Sequence, residues 1–171
     1  MLDRQPLLEG ELVQLRPLRE SDFASLFAIA SDPLLWEQHP SKERTQRAVF
    51  EGWFHDALES GGALAVIDRR DGRIIGTSRF EGHDRSRRAV EIGWTFLARS
   101  HWGGPYNAEM KRLMLRHAFG SVDRVLFRVH SLNLRSQRAV EKLGAVRVGT
   151  EVDPQGRGEN YVFCLEASAY D

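Results

Sequence analysis

Apolar positions recur along the chain with two different periods, and the switches between them mark its elements. In "ELVQLRPL" (11–18), Leu12, Gln14 and Arg16 alternate with Val13, Leu15 and Pro17, the two-residue repeat of a short strand that proline stops. "SDFASLFAIASDP" changes to helical spacing. Phe23, Leu26, Phe27 and Ala30 share a face, Ser21 or Asp22 can cap the start, and Pro33 blocks continuation. "ERTQRAVFEGWFHDALES" predicts a second helix, with Ala48, Val49, Phe50, Trp53, Phe54 and Leu58 at three and four spacing and a bend expected near Gly52.

An all-β middle follows. "ALAVID" and "IIGTSRF" read as hairpin partners around Asp71-Gly72, and "AVEIGWTFL" (89–97) reads as a longer strand. Next come a helix "PYNAEMKRLMLRHAF" with Met110, Leu113, Met114, His117 and Ala118 on one face, the strand "RVLFRVH", and a short helix "NLRSQRAVEKLG" that Gly144 ends. "AVRVGTEV" and "NYVFCLEA" close the chain as strands. This order predicts an α/β (α+β) fold: a mixed, mostly antiparallel central sheet flanked by helices, with one crossover joining the two central strands.

Composition narrows the function classes. With 171 residues, 42% hydrophobic and 28% charged, the chain suits one soluble domain over residues 1–171. Its formal charge of zero gives no support for non-specific binding to nucleic acid or to an anionic membrane. Cys164 stands alone and the six histidines lack ligand-like spacing, so neither a disulfide framework nor a metal is expected. No apolar stretch has bilayer length and no leader opens the chain, so a cytoplasmic location is expected.

The chemistry concentrates where the long strand turns into a helix, at "WGGPYN" (102–107). A strand that ends in glycines and opens a helix presents free N–H groups at a positive dipole end, which suits phosphate. Gly104 is the expected N-cap and Pro105 the first helical residue, with Tyr106 and Asn107 as the next donors. After the next strand a second helix start carries Asn133, a favoured N-cap, with Ser136 in its first turn.

Taken together, "LRPLRESDF", "EIGWTFL", "WGGPYNAEMKRLMLRHAF" and "NLRSQRAVEKLGA" resemble the GNAT superfamily of acyl-CoA-dependent N-acyltransferases over nearly the whole chain. The branch they resemble contains the RimJ/RimL-type acetyltransferases of ribosomal-protein N-termini. The superfamily loop, Gln/Arg-x-x-Gly-x-Gly/Ala, falls on Trp102, Gly103, Gly104, Pro105, Tyr106 and Asn107. Trp102 stands for Gln/Arg, Pro105 for the middle glycine and Asn107 for the last small residue.

The resemblance implies acetyl-CoA as cosubstrate, its pyrophosphate held by the loop amides. It implies splayed central strands, with pantetheine lying against the backbone of Thr95, Phe96 and Leu97, one of whose N–H groups faces the thioester carbonyl. Asn133 would reach the pantetheine amides. A small-molecule or peptide amine would attack directly, without an acyl-enzyme. Glu91 would accept its proton, unless it is a structural ion pair, and Ser136 or Tyr106 would donate to the departing thiolate. Trp36, His39, Trp53, Phe80 and Tyr161 are candidate acceptor-pocket residues, and His130 is a candidate relay or a satisfied strand histidine. Dimers are common among similar proteins, so a homodimer is compatible. The competing expectation is a non-catalytic acyl-CoA-binding or interaction module, motivated by Pro105 and Asn107.

Overall fold

The computed structural model describes residues 1–170. Its strands are β1 (Leu8–Glu9), β2 (Val13–Pro17), β3 (Ala63–Asp68), β4 (Ile74–Asp84), β5 (Ala89–Leu97), β6 (Arg124–His130), β7 (Val146–Val152) and β8 (Glu159–Glu166). The helices are α1 (Phe23–Ala30), α2 (Arg47–Glu59), α3 (Tyr106–Phe119) and α4 (Leu134–Lys142). The eight strands form one sheet in the order β1-β2-β3-β4-β5-β6-β8-β7. Every pair is antiparallel except β5 with β6, which α3 joins as a crossover.

Strand alternation feeds two cores on opposite faces. Leu64 and Val66 of β3 pack with Met110, Met114 and Leu115 of α3, while Ala63 and Ala65 pack with Phe50 and Phe54 of α2. The small alanines on that second face leave room for an aromatic layer, in which Phe23, Phe27, Phe50, Phe54 and Phe96 meet.

Four details depart from the sequence reading. β1, only two residues long, carries no periodicity to detect. Asp22 does not cap α1. It is buried and holds Arg16 through two bonds of 2.8 Å, while accepting the Arg19 amide. α2 runs unbroken through Gly52 and begins at Arg47, because residues 42–45 form a separate 3-10 turn. α3 begins at Tyr106, with Pro105 in the N-cap position rather than the first helical one. No helix among the described residues is long and apolar enough to cross a membrane.

Candidate active site

β5 and β6 stay together for only three residue pairs, Ala89 with Arg124, Val90 with Val125 and Glu91 with Leu126. Beyond Glu91 the strands separate, and among the described residues the rest of β5 has no paired strand on that side. Ala98 donates its N–H to Ile75 on the β4 side. Antiparallel alternation then turns the backbone of Phe96 toward β4 and that of Thr95 and Leu97 toward the gap. The predicted trio therefore divides: two residues offer main-chain groups to the gap, and Phe96 offers its ring to the α1/α2 face.

A bulge lies at this edge. Thr77 pairs with Phe96 and Arg79 with Gly93, so Trp94 and Thr95 together oppose Ser78. Trp94 takes a left-handed conformation, φ 51°, a strained one for a bulky residue. Thr95 Oγ1 meets Ser78 Oγ at 2.8 Å and accepts from Lys111 Nζ at 2.6 Å.

The loop at the end of β5 behaves as a cradle. Gly103 has φ 70°, open to glycine at no cost, and a Cβ at Gly103 or Gly104 would meet nothing within 4 Å. The amides of Gly103, Gly104, Tyr106, Asn107 and Ala108 find no acceptor among the described residues, whereas Glu109 N–H bonds back to the Pro105 carbonyl. Pro105 therefore lacks a donor at a position where the helix offers no acceptor for one, and the free amides flank it on both sides. A diphosphate fits this set of donors.

Trp102 has another task than the Gln/Arg it replaces. Its Nε1 donates to the Leu97 carbonyl at 2.9 Å, its ring lies 3.7 Å under the Arg135 guanidinium, and it packs against both cores. It braces the loop with its side chain. Tyr106 leans toward β3: its ring meets His101 edge-on at 4.7 Å and lies under Arg70. That neighbourhood is anchored on buried Asp68, which accepts from His101 Nε2 and from Arg70 and whose carboxyl is held below its ordinary range chiefly by Arg70. Asp68 and Arg70 are also charged neighbours of the Tyr106 hydroxyl.

Across the gap, Asn133 caps α4 as its residue type predicts, its Oδ1 accepting the Ser136 amide at 3.3 Å. The cap uses the Ser136 main chain, and no bond engages the Ser136 hydroxyl among the described residues. His130 is fully committed, with Nδ1 accepting from the Leu132 amide and Nε2 donating to the Arg157 carbonyl. Cys164 is buried on β8, with its thiol pKa pushed up by that burial.

Glu91 lies at the fork itself. One oxygen accepts from Arg128 Nη1 at 2.6 Å, tying β5 to β6 at their last pair, and Arg128 also holds Glu151 at 2.9 Å. Burial raises the Glu91 pKa against the lowering effect of Arg128, and the like charges of Glu151 and Glu81 add to the rise. It is an ion pair and a carboxylate of raised basicity at once.

The candidate acceptor residues fall on two faces. Phe80 is fully buried under α3 and Tyr161 packs with the same core, beneath Arg147. Neither joins Trp36, His39 and Trp53, which gather on the α1/α2 face. Trp36 contacts Phe96 and His39 edge-on, and Arg44 stacks on both Trp36 and Trp53. Burial, with nearby Arg44, lowers the His39 pKa to about 3, so its imidazole is neutral. Trp53 Nε1 and two nitrogens of buried Arg79 have no hydrogen-bond partner among the described residues.

Sequence reading missed two residues of α3 altogether. Glu109 and Lys111 are buried, 4% and 6% exposed, in positions that the helical pattern assigns to solvent. Only their acid-x-base spacing beside the loop could have drawn notice.

Comparison with known proteins places this geometry. A family model described as an acetyltransferase (GNAT) domain matches residues 13–146. A GCN5-related N-acetyltransferase from Brucella melitensis is similar with a TM-score of 0.85 and 24% identity, over 96% of this chain and 80% of that one. RimJ of Mycobacterium smegmatis, solved in complex with CoA-disulfide, gives a TM-score of 0.75 at 20% identity over 98% of this chain and 91% of that one. The microcin C7 self-immunity acetyltransferase MccE, solved in complex with acetyl-CoA and AMP, gives 0.76 at 10% identity over 92% and 93%.

Proposed function

Because this chain belongs to the GNAT acetyltransferase family, we propose that it acetylates a primary amine by direct attack within a ternary complex. The observation that carries the reading is the gap between β5 and β6 opening onto the unpaired amides around residues 103–108. Acetyl-CoA is the cosubstrate, supplying the acyl group and leaving as a thiolate. The amides of Gly103, Gly104, Tyr106 and Asn107 hold its diphosphate, with Trp102 bracing the loop. The main chain of Thr95 and the N–H of Leu97 orient the pantetheine arm, and Asn133, at the N-cap of α4, reaches its amides.

Glu91 takes the proton that the attacking ammonium must lose, because its raised pKa and its place at the fork suit that exchange. The Ser136 hydroxyl, unengaged by its own helix, donates to the sulfur. The acceptor enters from the α1/α2 face, where Trp36, His39 and Trp53 lie. It is a peptide N-terminus or a small-molecule amine. The helix start at Asn133 and Ser136, following the Trp102 loop and one strand, supports the RimJ/RimL-type branch. The reading also carries a single domain over residues 1–171, a cytoplasmic location and a homodimeric assembly.

A panel of amines with acetyl-CoA, read by free thiol and by acceptor mass, tests the proposal. Thiol release with an amine of matching mass gain is the expected result. Binding of coenzyme A without release across the panel would instead favour a non-catalytic module. With a responsive amine in hand, Glu91→Gln is expected to lower kcat by roughly a hundredfold and to flatten the acid limb of the pH profile. An unchanged acid limb would leave Glu91 as an ion pair only. Ser136→Ala should slow turnover by about tenfold or more with little change in coenzyme affinity, and equal loss in both would remove its donor role.

A further inference from the structure

Lys111 is buried inside the α3 face of the sheet, one turn beyond the loop amides, and among the described residues no carboxylate lies within ion-pairing distance of it. Among the described residues its one hydrogen bond goes to a neutral hydroxyl, Thr95 Oγ1, and that hydroxyl is shared with Ser78 Oγ of β4. A buried ammonium with a single neutral partner costs stability, and a hydrocarbon side chain of similar length would pack there without that cost. Such a charge calls for a use. The one it has on hand is Thr95, whose side chain it grips and whose main chain the bulge turns toward the gap.

Resting on the reading of the gap as the acetyl-CoA site, we infer that Lys111 is a positioning residue for acyl transfer. Its amine fixes Thr95 in the bulge and, when protonated, sets a positive field behind the amide that faces the thioester carbonyl. Negative charge developing on that carbonyl oxygen is stabilised by groups already in place, in a site of low dielectric. The strained Trp94 fits this assignment, since the backbone conformation that aims Thr95 is held by contacts on both sides of the sheet: Lys111 and Ser78 on one, and the Arg79 guanidinium over the Trp94 ring at 4.8 Å on the other.

Burial alone lowers the Lys111 pKa to about 7, and no charged side chain of β4, β5, β6 or its own helix contributes to that shift. The folded protein then holds this proton less tightly than the unfolded chain does. Stability contributed through Lys111 is lowest below pH 7 and rises as pH climbs toward the ordinary lysine range.

Lys111→Met and Thr95→Val, each as the full chain, test the assignment with [1-13C]acetyl-CoA. With the site saturated, the wild type should shift the bound thioester carbonyl stretch to lower frequency, and both variants should lose that shift. Lys111→Met should also melt no lower than the wild type at pH 7, lose the rise in stability above pH 7, and release thiol roughly tenfold to a hundredfold more slowly. An identical stretch in wild type and both variants overturns the inference and leaves the acetyltransferase reading intact. A Lys111→Met protein that melts well below the wild type while keeping the carbonyl shift assigns the lysine to structure and overturns it equally. Failure of the wild type to bind acetyl-CoA at all removes the function reading and this inference with it.

Discussion

Gly104→Asp is expected to abolish useful affinity for coenzyme A while leaving the protein folded. A Cβ at this position meets nothing within 4 Å, and Gly104 is not one of the glycines in the left-handed region, so the backbone accepts a side chain without strain. The new carboxylate would accept from the free amides at the start of α3, as an aspartate at a helix N-terminus does, stabilising the apo protein by about 0.5–1 kcal/mol. The same charge would stand where the diphosphate must sit. Two unit charges about 4 Å apart at an effective dielectric of about 20 differ by about 4 kcal/mol, roughly a thousandfold in Kd. Calorimetry with coenzyme A, beside a melting curve, reads both halves. Gly104→Ala serves as the control, because it adds bulk without charge and should weaken binding far less. If Gly104→Asp binds coenzyme A as the wild type does, the diphosphate is not held by this loop.

The second large effect falls on stability. Glu109 sends its carboxylate from the first turns of α3 to the start of β2, where it accepts from the amides of Glu11, Leu12 and Val13 at 3.0, 2.7 and 2.8 Å. Those donors have no other partner among the described residues, and the side chain is 5% exposed. Glu109→Ala would leave three donors unpaired in and beside the core, at about 1–3 kcal/mol each, a loss of roughly 4 kcal/mol or more. For a chain of this length that lowers Tm by roughly 10 °C. Coenzyme A should raise the melting point of wild type and variant alike, since the loop amides themselves are untouched. A Tm within about 2 °C of the wild type would mean that water replaces the carboxylate, and that the link between α3 and β2 carries little of the stability.

Glu109 and Lys111 also show why part of the site was hidden from sequence reading. Along α3 the apolar positions Met110, Met114 and Ala118 announce the buried face correctly, and all three are fully buried. Period alone assigns the charged residues between them to solvent. Here the helix lies deep enough against β2, β5 and β6 to bury a wider arc, so a glutamate and a lysine go inside with it. A burial that wide depends on how the strands are spaced in three dimensions. The same limit explains Phe80 and Tyr161, aromatic residues as eligible for a pocket as Trp36 or Trp53, which the sheet places on the opposite face.

The chain order of periods, with glycine and proline punctuation, determined the elements, the mostly antiparallel sheet and the glycine loop feeding a helix N-terminus. Asn133 capped the helix its residue type foretold, because a local hydrogen bond three residues long requires no distant partner. Tertiary structure alone decided that β5 and β6 part after Glu91, that Trp94 and Thr95 crowd against Ser78, and that a lone ammonium lies behind them. Those are relations between segments far apart in the chain. Local propensity is written into neighbouring residues, whereas register, divergence and the company of a buried charge are fixed only when the two faces of the sheet are packed.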